Sequence, residues 1–451
     1  MPSTATRSLV LALLVTPLAT ADARAEVYEV KAGDDWSLLG PKLVAGDEVV
    51  LLEGVHVPAQ FSGLAGEAGK PIVIRSWEPS KLAEFTPARE ALKLTDCRHV
   101  RVERLFIKSM RRAGIILDST APGLCSDIVV QDTLVRGVDG LVEQAGLLVL
   151  GAQRVAVLRS RFEDCRGSAL HLELASDVRV ERLQVHGRKP ATLDFGVQIL
   201  GESSDLAFND LSITGTVSTA ISVGAKDAVS RGPRVPVVPE VPAAPQAQAT
   251  STASNARTPA PGAPTTAASD AAPAQPQTAP AQPQTSPAQP QTSPAQPPVT
   301  PAPAAMVRNV TFEHVLIRNA DHAFEFGSCD GVTVANSTIV DASASIFRLV
   351  RPLRGRAGAL VRFRENIVTW GPGGLRMIVD AVEGAPTAGL RLGPNIWWSN
   401  ELPSALPLLG PESNPFQGTL EVPQTIDIDP ELDDGARPLR EDAKMFGRNV
   451  R

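Results

Sequence analysis

One nine-residue phrase keeps returning along this chain and leaves few folds open to it. It is clearest as Asp177-Val178-Arg179-Val180-Glu181-Arg182-Leu183-Gln184-Val185, with near-copies starting at His99 and Asn309. Looser versions begin at Asp127, Arg154, Asp205, Gly331 and Ala359. Aligned on the first apolar residue, the copies start at Val100, Ile128, Val155, Val178, Leu206, Val310, Val332 and Leu360. The uninterrupted spacings are 28, 27, 23 and 28 residues, then 22 and 28. Within a unit, apolar residues alternate as Val100/Val102, Leu105/Ile107 and Ile115/Leu117. That period of two marks three short strands separated by polar or glycine-bearing turns. A unit of this size cannot bury its apolar side alone, so successive units must stack into one continuous core. Leucine-rich repeats would need a Leu/Asn ladder that is absent, and propeller blades would be longer. The expected fold is all-β: a single-stranded right-handed parallel β-helix.

The chain is 43% hydrophobic but only 4% aromatic, which predicts a mainly aliphatic column. A formal charge of -6 gives no case for a nucleic-acid partner, which would call for a basic face. Residues 1–25 read as an export signal: Arg7 opens it, Leu9 to Leu18 form a short apolar run, and Ala23-Arg24-Ala25 offers a cleavage site. No segment supplies the ~20 apolar residues of a transmembrane helix. The expected product is a secreted or periplasmic monomer. Residues 26–96 hold an N-terminal cap, with a short helix over Trp36–Leu43, and the first turns. The β-helix occupies 97–230, resumes over 306–392, and gives way to irregular rungs and a tail covering the far end at 393–451. Between them, 231–305 is dominated by Pro, Ala, Gln, Thr and Ser, with Ala-Gln-Pro-Gln-Thr repeated. It lacks the apolar material for a core and is expected to be a disordered loop extruded from one turn.

Alternation also places side chains. Outward positions on the second strand of each unit are Lys108, Arg136, Glu163, His186, Thr214, Arg318, Val340 and Thr369. Those on the third strand are Ile116, Leu148, His171, Gln198, Ser222, Glu325, Arg348 and Arg376. Stacked neighbours stand ~4.8 Å apart, so each series forms a column. Lys108, Arg136, Arg188, Lys189, Gln198, Arg318 and Glu325 are the candidate contacts to a polar polymer, and His171 and His186 are candidate bases near neutral pH. Polar outward positions are also what any soluble β-helix needs. Cys97 and Cys125 occupy equivalent places in adjacent units, which allows either a disulfide staple or two free buried thiols. The acidic run Asp427 to Asp434 lacks the glycine spacing of a calcium loop.

The stretch AGDEVVLLEGVHVPAQFSGLAGEAGKPIVIRSW, followed by LKLTDCRHVRVERLFIK, resembles the opening of the alginate-lyase and chondroitinase-B-like family of secreted pectin-lyase-fold proteins. Asp429-Pro430-Glu431-Leu432 resembles the end of many of them. The resemblance implies a β-helix acting on an acidic polysaccharide by β-elimination. A cation, commonly calcium, or a basic group would neutralise the uronate while a base takes the C5 proton. On that pattern Arg348 corresponds to the family's assisting arginine and Glu325 to a carboxylate ligand. Gly327 stands where the family has its catalytic lysine, so His171 or His186 would have to serve as base. The alternative is a non-catalytic β-helix that binds or scaffolds surface glycans.

Overall fold

The structure is a computed structural model that describes residues 25–85, 87–139, 144–188, 193–224, 306–351, 360–371, 374–382, 385, 389–399, 425–426 and 429–448. Residues 1–24 of the expected signal, the expected Pro-rich loop 231–305, Lys189 and Asp427 lie outside the described residues.

The valine phrase forms one wall. Arg98–Glu103, Ser126–Gln131, Gln153–Leu158, Ser176–Glu181, Ser204–Asn209, Val307–Glu313, Cys329–Ala335 and Val361–Arg364 pair in parallel, in chain order, within a 12-stranded sheet. The second and third strands of each unit build two further parallel stacks. They count as one 20-stranded sheet because Ser212–Val223 and Leu316–Phe326 run continuously from one stack into the other. Val100, Ile128, Val155, Val178, Leu206, Val310 and Val332 stand in register, as the spacing predicts. The next position belongs to Val361 and not Leu360, so that alignment was one residue early. Pairing also continues across 225–305, with Leu206 opposite Val310 and Ile213 opposite Ile317, apart from a register shift between Thr214 and Val217. The chain is a right-handed parallel β-helix.

The polar residues of the phrase are there for its corners. His99, Asp127, Arg154, Asp177, Asp205 and Asn309, the second or third residues of these strands, all have φ between 49° and 58°. Arg104, Asp132, Arg159, Arg182, Asp210 and His314 repeat this just after them, at 45° to 54°. This left-handed conformation turns the chain, and Asp and Asn tolerate it better than most side chains. Stacked corners then pair: Arg154 forks onto Asp127 and Arg159 onto Asp132, each by two hydrogen bonds of 2.7–2.8 Å. Inside the corner, small polar side chains satisfy the turning backbone. Thr133 N donates to Ser160 Oγ and Val315 N to Ser337 Oγ. Buried Asn366 and Asn395 continue the ladder, Asn366 donating both its backbone N–H and its Nδ2 to Asn395 Oδ1.

The interior is aliphatic between Phe85 and Phe162 and becomes aromatic from Phe208 onward. Phe208 stacks on Phe312 with centroids 4.7 Å apart, and Phe324, Phe347, Phe363 and Trp397 continue the contact chain. At the N-terminal end a 3-10 helix, Trp36–Lys42, seats Trp36 against Phe61 and Phe85. The C-terminal residues lie along the second stack instead of covering only the far end. Gly447 N donates to Glu365 O, Arg448 N donates to Thr338 Oγ1, and Ala443 and Phe446 pack on Ile367 and Ile396.

Cys97 and Cys125 do stack, but as free, buried thiols, which corrects the disulfide expectation. In-register neighbours have near-parallel Cα–Cβ bonds ~4.8 Å apart, beyond the ~3.8 Å between Cβ atoms that a disulfide prefers. Burial pushes the two thiols up to about 11 and about 12.

Candidate functional site

The second-stack column forms as expected, with each residue from Lys108 through Arg136, Glu163, His186, Thr214, Arg318 and Val340 to Thr369 in register with the next. Its members do not form one open groove. Lys108 is ion-paired with Glu84 and lies 5.9 Å from the Phe106 ring centre. Arg318 Nη2 donates to Asp434 O of the C-terminal tail, which crosses the column there.

Midway along it, three guanidinium groups converge on one carboxylate. Glu163 is 0% exposed. Arg136 Nε donates to Oε2 from 2.6 Å and Arg188 Nη2 from 2.7 Å, while Arg161 Nε makes a charge contact of 2.5 Å with Oε1. Arg136 comes from the preceding rung, Arg161 from the same strand two residues earlier, and Arg188 from the turn after the next strand. Burial would raise the Glu163 carboxyl, but the hydrogen bond from Arg136 and the charges of Arg161, Arg136 and Arg188 outweigh it and hold the group below its ordinary value. His186, in register with Glu163, has Nδ1 2.9 Å from Thr214 Oγ1.

On the third stack, Ile116, Leu148, His171, Gln198, Ser222, Glu325 and Arg348 are in register as expected. The next member is Asp380 and not Arg376, because Met377 aligns with Ser345 and moves the outward position along. Ile116 and Leu148 are not exposed either; with Ala113, Ala145 and Leu150 they form a small buried cluster separate from the interior. His171 has Nδ1 3.0 Å from Gln198 Oε1, which also accepts from Ser168 Oγ, and Nε2 3.5 Å from Glu173 Oε2. Four rungs separate His171 from Arg348, about 19 Å at ~4.8 Å each, and His186 belongs to another stack. The three expected catalytic residues therefore do not share a site.

A different histidine stands beside Arg348. The third stack carries a second outward column three residues earlier: Ser168, Phe195, Thr219, His322, Ser345 and Met377. His322 Nδ1 is 2.8 Å from Ser345 Oγ. Burial, and then the charge of Arg348, lower the His322 pKa, which keeps the ring neutral near pH 7. Arg348 lies between two carboxylates, with Nη1 3.7 Å from Glu325 Oε2 and Nε 4.0 Å from Asp380 Oδ2. Both are charge contacts without hydrogen bonds, and buried Nε has no hydrogen-bond partner among the described residues. Ser222 Oγ donates to Glu325 Oε1, fixing that carboxylate. The sequence signal for this arrangement was the i,i+3 spacing His322/Glu325 and Ser345/Arg348, which simple alternation passes over.

These residues do not fit calcium. Glu325 and Asp380 are on either side of a guanidinium, and among the described residues no group of three or more His, Cys, Asp or Glu could hold a metal ion. No helix among them is long and apolar enough to cross a membrane.

No protein-family model matches the chain, and no curated protein matches it. Solved structures do. A lacto-N-biosidase of glycoside hydrolase family 136 from Eubacterium ramulus is 9% identical over 89% of this chain and 68% of its own, with a TM-score of 0.51. An alginate lyase from Paenibacillus sp. str. FPU-7 is 10% identical over 81% and 97%, with a TM-score of 0.38. An exopolygalacturonase from Thermotoga maritima is 9% identical over 80% and 81%, with a TM-score of 0.42. At 9% identity, the likeness to the lacto-N-biosidase is one of architecture alone.

Proposed function

We propose that this is an exported β-helix protein that acts on an acidic polysaccharide at the face formed by His322, Glu325, Arg348 and Asp380. The observation that carries the reading is the Arg348 guanidinium. It is 38% exposed, held by two carboxylates at charge-contact range only, and keeps a buried Nε–H without a hydrogen bond. A planar fork with free donors is suited to bidentate capture of a uronate carboxylate. Neutralising that carboxylate acidifies the adjacent C5–H. A neutral imidazole can accept the proton, the C4–O bond breaks, and the unsaturated sugar and a new chain end result. His322 fills the base role that Gly327, without a side chain, does not. Its lowered pKa puts the acid limb of activity below the usual histidine value of ~6.5.

The alternative is a glycan binder without catalysis, which the glycine at 327 favours. Incubation with alginate, pectate and chondroitin, following absorbance of the unsaturated product, separates the two. Elimination should appear in the wild type and fall at least 100-fold in His322→Gln, which leaves binding in place. Binding without product in the wild type supports the second reading. Neither product nor binding on any of the polymers refutes both.

A further inference from the structure

We infer that Arg136, Arg161 and Arg188 form a second ligand site, for a tetrahedral oxyanion of the sulfate or phosphate class. It lies on a different wall from the Arg348 face and does not depend on the function proposed for that face.

One arginine would neutralise the buried Glu163 carboxylate, yet three converge on it, and with Asp164, which accepts from the Arg188 backbone N–H, the cluster still carries a net positive charge. Each guanidinium carries five N–H donors, and a carboxylate offers about four acceptor positions. Most of the fifteen donors are therefore not used on Glu163. Arg136, Arg161 and Arg188 keep 41%, 49% and 45% of their side chains exposed, so the unused donors reach solvent. Apart from the Phe106 ring near Arg136, no other side-chain partner of the three guanidiniums appears among the described residues; Arg188 is further tied by its backbone N–H, which donates to Asp164 Oδ1.

Glu163 then acts as the anchor that aims three forks at one place. It fixes Nε of Arg136 and one Nη of Arg188, and their other nitrogens make no hydrogen bond to it. Three forks approaching from three directions suit a group with several oxygens out of one plane better than a flat carboxylate, which one fork satisfies. The net positive charge favours an anion there. Arg136 lies with its guanidinium 5.8 Å from the Phe106 ring centre, which restrains it on the side away from Glu163. The oxyanion can reach the site as a free ion or as an ester on a polymer, and the two sources differ in which probe binds.

The test uses the full chain. Sodium sulfate, sodium phosphate and dextran sulfate are titrated against sodium chloride at matched ionic strength, with binding read by calorimetry and by the shift in melting temperature. The expected result is saturable binding of at least one probe beyond the chloride control. Affinity should fall at least tenfold in both Arg161→Gln and Arg188→Gln, and stay unchanged in Arg348→Ala. Sulfate or phosphate binding assigns a free-ion source; binding of dextran sulfate alone assigns an ester. Arg188→Lys keeps the charge that Glu163 requires and so guards against loss of folding; without the fork, it should still weaken binding several-fold. The inference is overturned if no probe exceeds chloride, or if folded arginine variants bind like the wild type. Loss of polysaccharide activity in Arg348→Ala with oxyanion binding intact would show the two sites to be separate.

Discussion

Asn366 offers the sharpest test of how the corners hold the solenoid together. Its side chain is buried and makes three hydrogen bonds: Oδ1 accepts from Ser337 N at 2.9 Å, and Nδ2 donates to Val334 O and Asn395 Oδ1 at 3.1 Å each. Asn366→Ala removes all three. The two Nδ2 bonds are worth about 1 kcal/mol each, and the Ser337 N–H, buried without an acceptor, adds about 1–3 kcal/mol. The sum is a loss of about 3–5 kcal/mol, large against the 5–15 kcal/mol of ordinary net stability. Equilibrium urea unfolding followed by tryptophan fluorescence should show a lower midpoint with an unchanged slope. Asn395→Ala should cost a similar amount, and the double variant should fall short of additivity by about 1 kcal/mol because both lose the same Asn366–Asn395 bond. A loss below about 1 kcal/mol for Asn366→Ala, or full additivity, would refute the view that the ladder is a coupled element of the fold.

Other expectations follow from the same geometry. Phe312→Ala, which removes a ring packed against Phe208 and Phe324, should lower stability by about 3–5 kcal/mol, read as a shifted urea midpoint. Glu163→Gln should destabilise by about 1–3 kcal/mol at pH 7, less than a fully buried pair would because the arginines reach water. The Glu163 pKa is lowered by folding, so its contribution is present above the unfolded value of ~4.3 and is lost as the pH falls through the folded value. The variant should therefore show a flatter acid limb in a stability profile. Reducing agent should leave the melting temperature unchanged, since Cys97 and Cys125 are thiols; a drop would restore the disulfide. Replacing residues 225–305 with a roughly nine-residue Gly/Ser linker should preserve the fold, because Gly224 O and Val307 N are both bonded to Ser328. A ninefold shorter loop lowers closure entropy by about 2 kcal/mol at most, and loss of cooperative unfolding would contradict this.

How much of this was legible beforehand depended on periodicity. Where rungs keep their length, a period of two predicts facing residues well, and the Lys108 to Thr369 column follows it throughout. It fails where rung length changes. Arg376 gave way to Asp380 and Leu360 to Val361, because residues inserted between strands shift phase without altering local alternation. His322 was passed over for a related reason. Its strand bends between stacks, so two outward columns lie three residues apart where alternation allows only even spacings. Burial of Ile116 and Leu148 depends on what packs outside the sheet, which no strand pattern encodes. The convergence of Arg161 and Arg188 on Glu163 likewise depends on long side chains bridging rungs. The disulfide expectation failed on geometry finer than spacing: stacking puts two cysteines side by side with the wrong separation to join.

The continuity of the register between Asp205 and Asn309 bears on how the chain comes to fold. Stacked corners elsewhere join residues one rung apart, such as Arg154 with Asp127 at a separation of 27. At the seam, Ser222 meets Glu325 at 103 and Asn309 meets Asp205 at 104. Closing long loops is what slows folding, and stacked repeats can nucleate on either side of a weak junction and grow towards it. The rungs before Gly224 and those after Val307 are thus expected to form as two fast blocks with their joining as the slow step, which refolding kinetics would show as a slow phase lost when 225–305 is shortened. Since that joining seats Ser222 on Glu325, the same event completes the carboxylate arrangement beside Arg348.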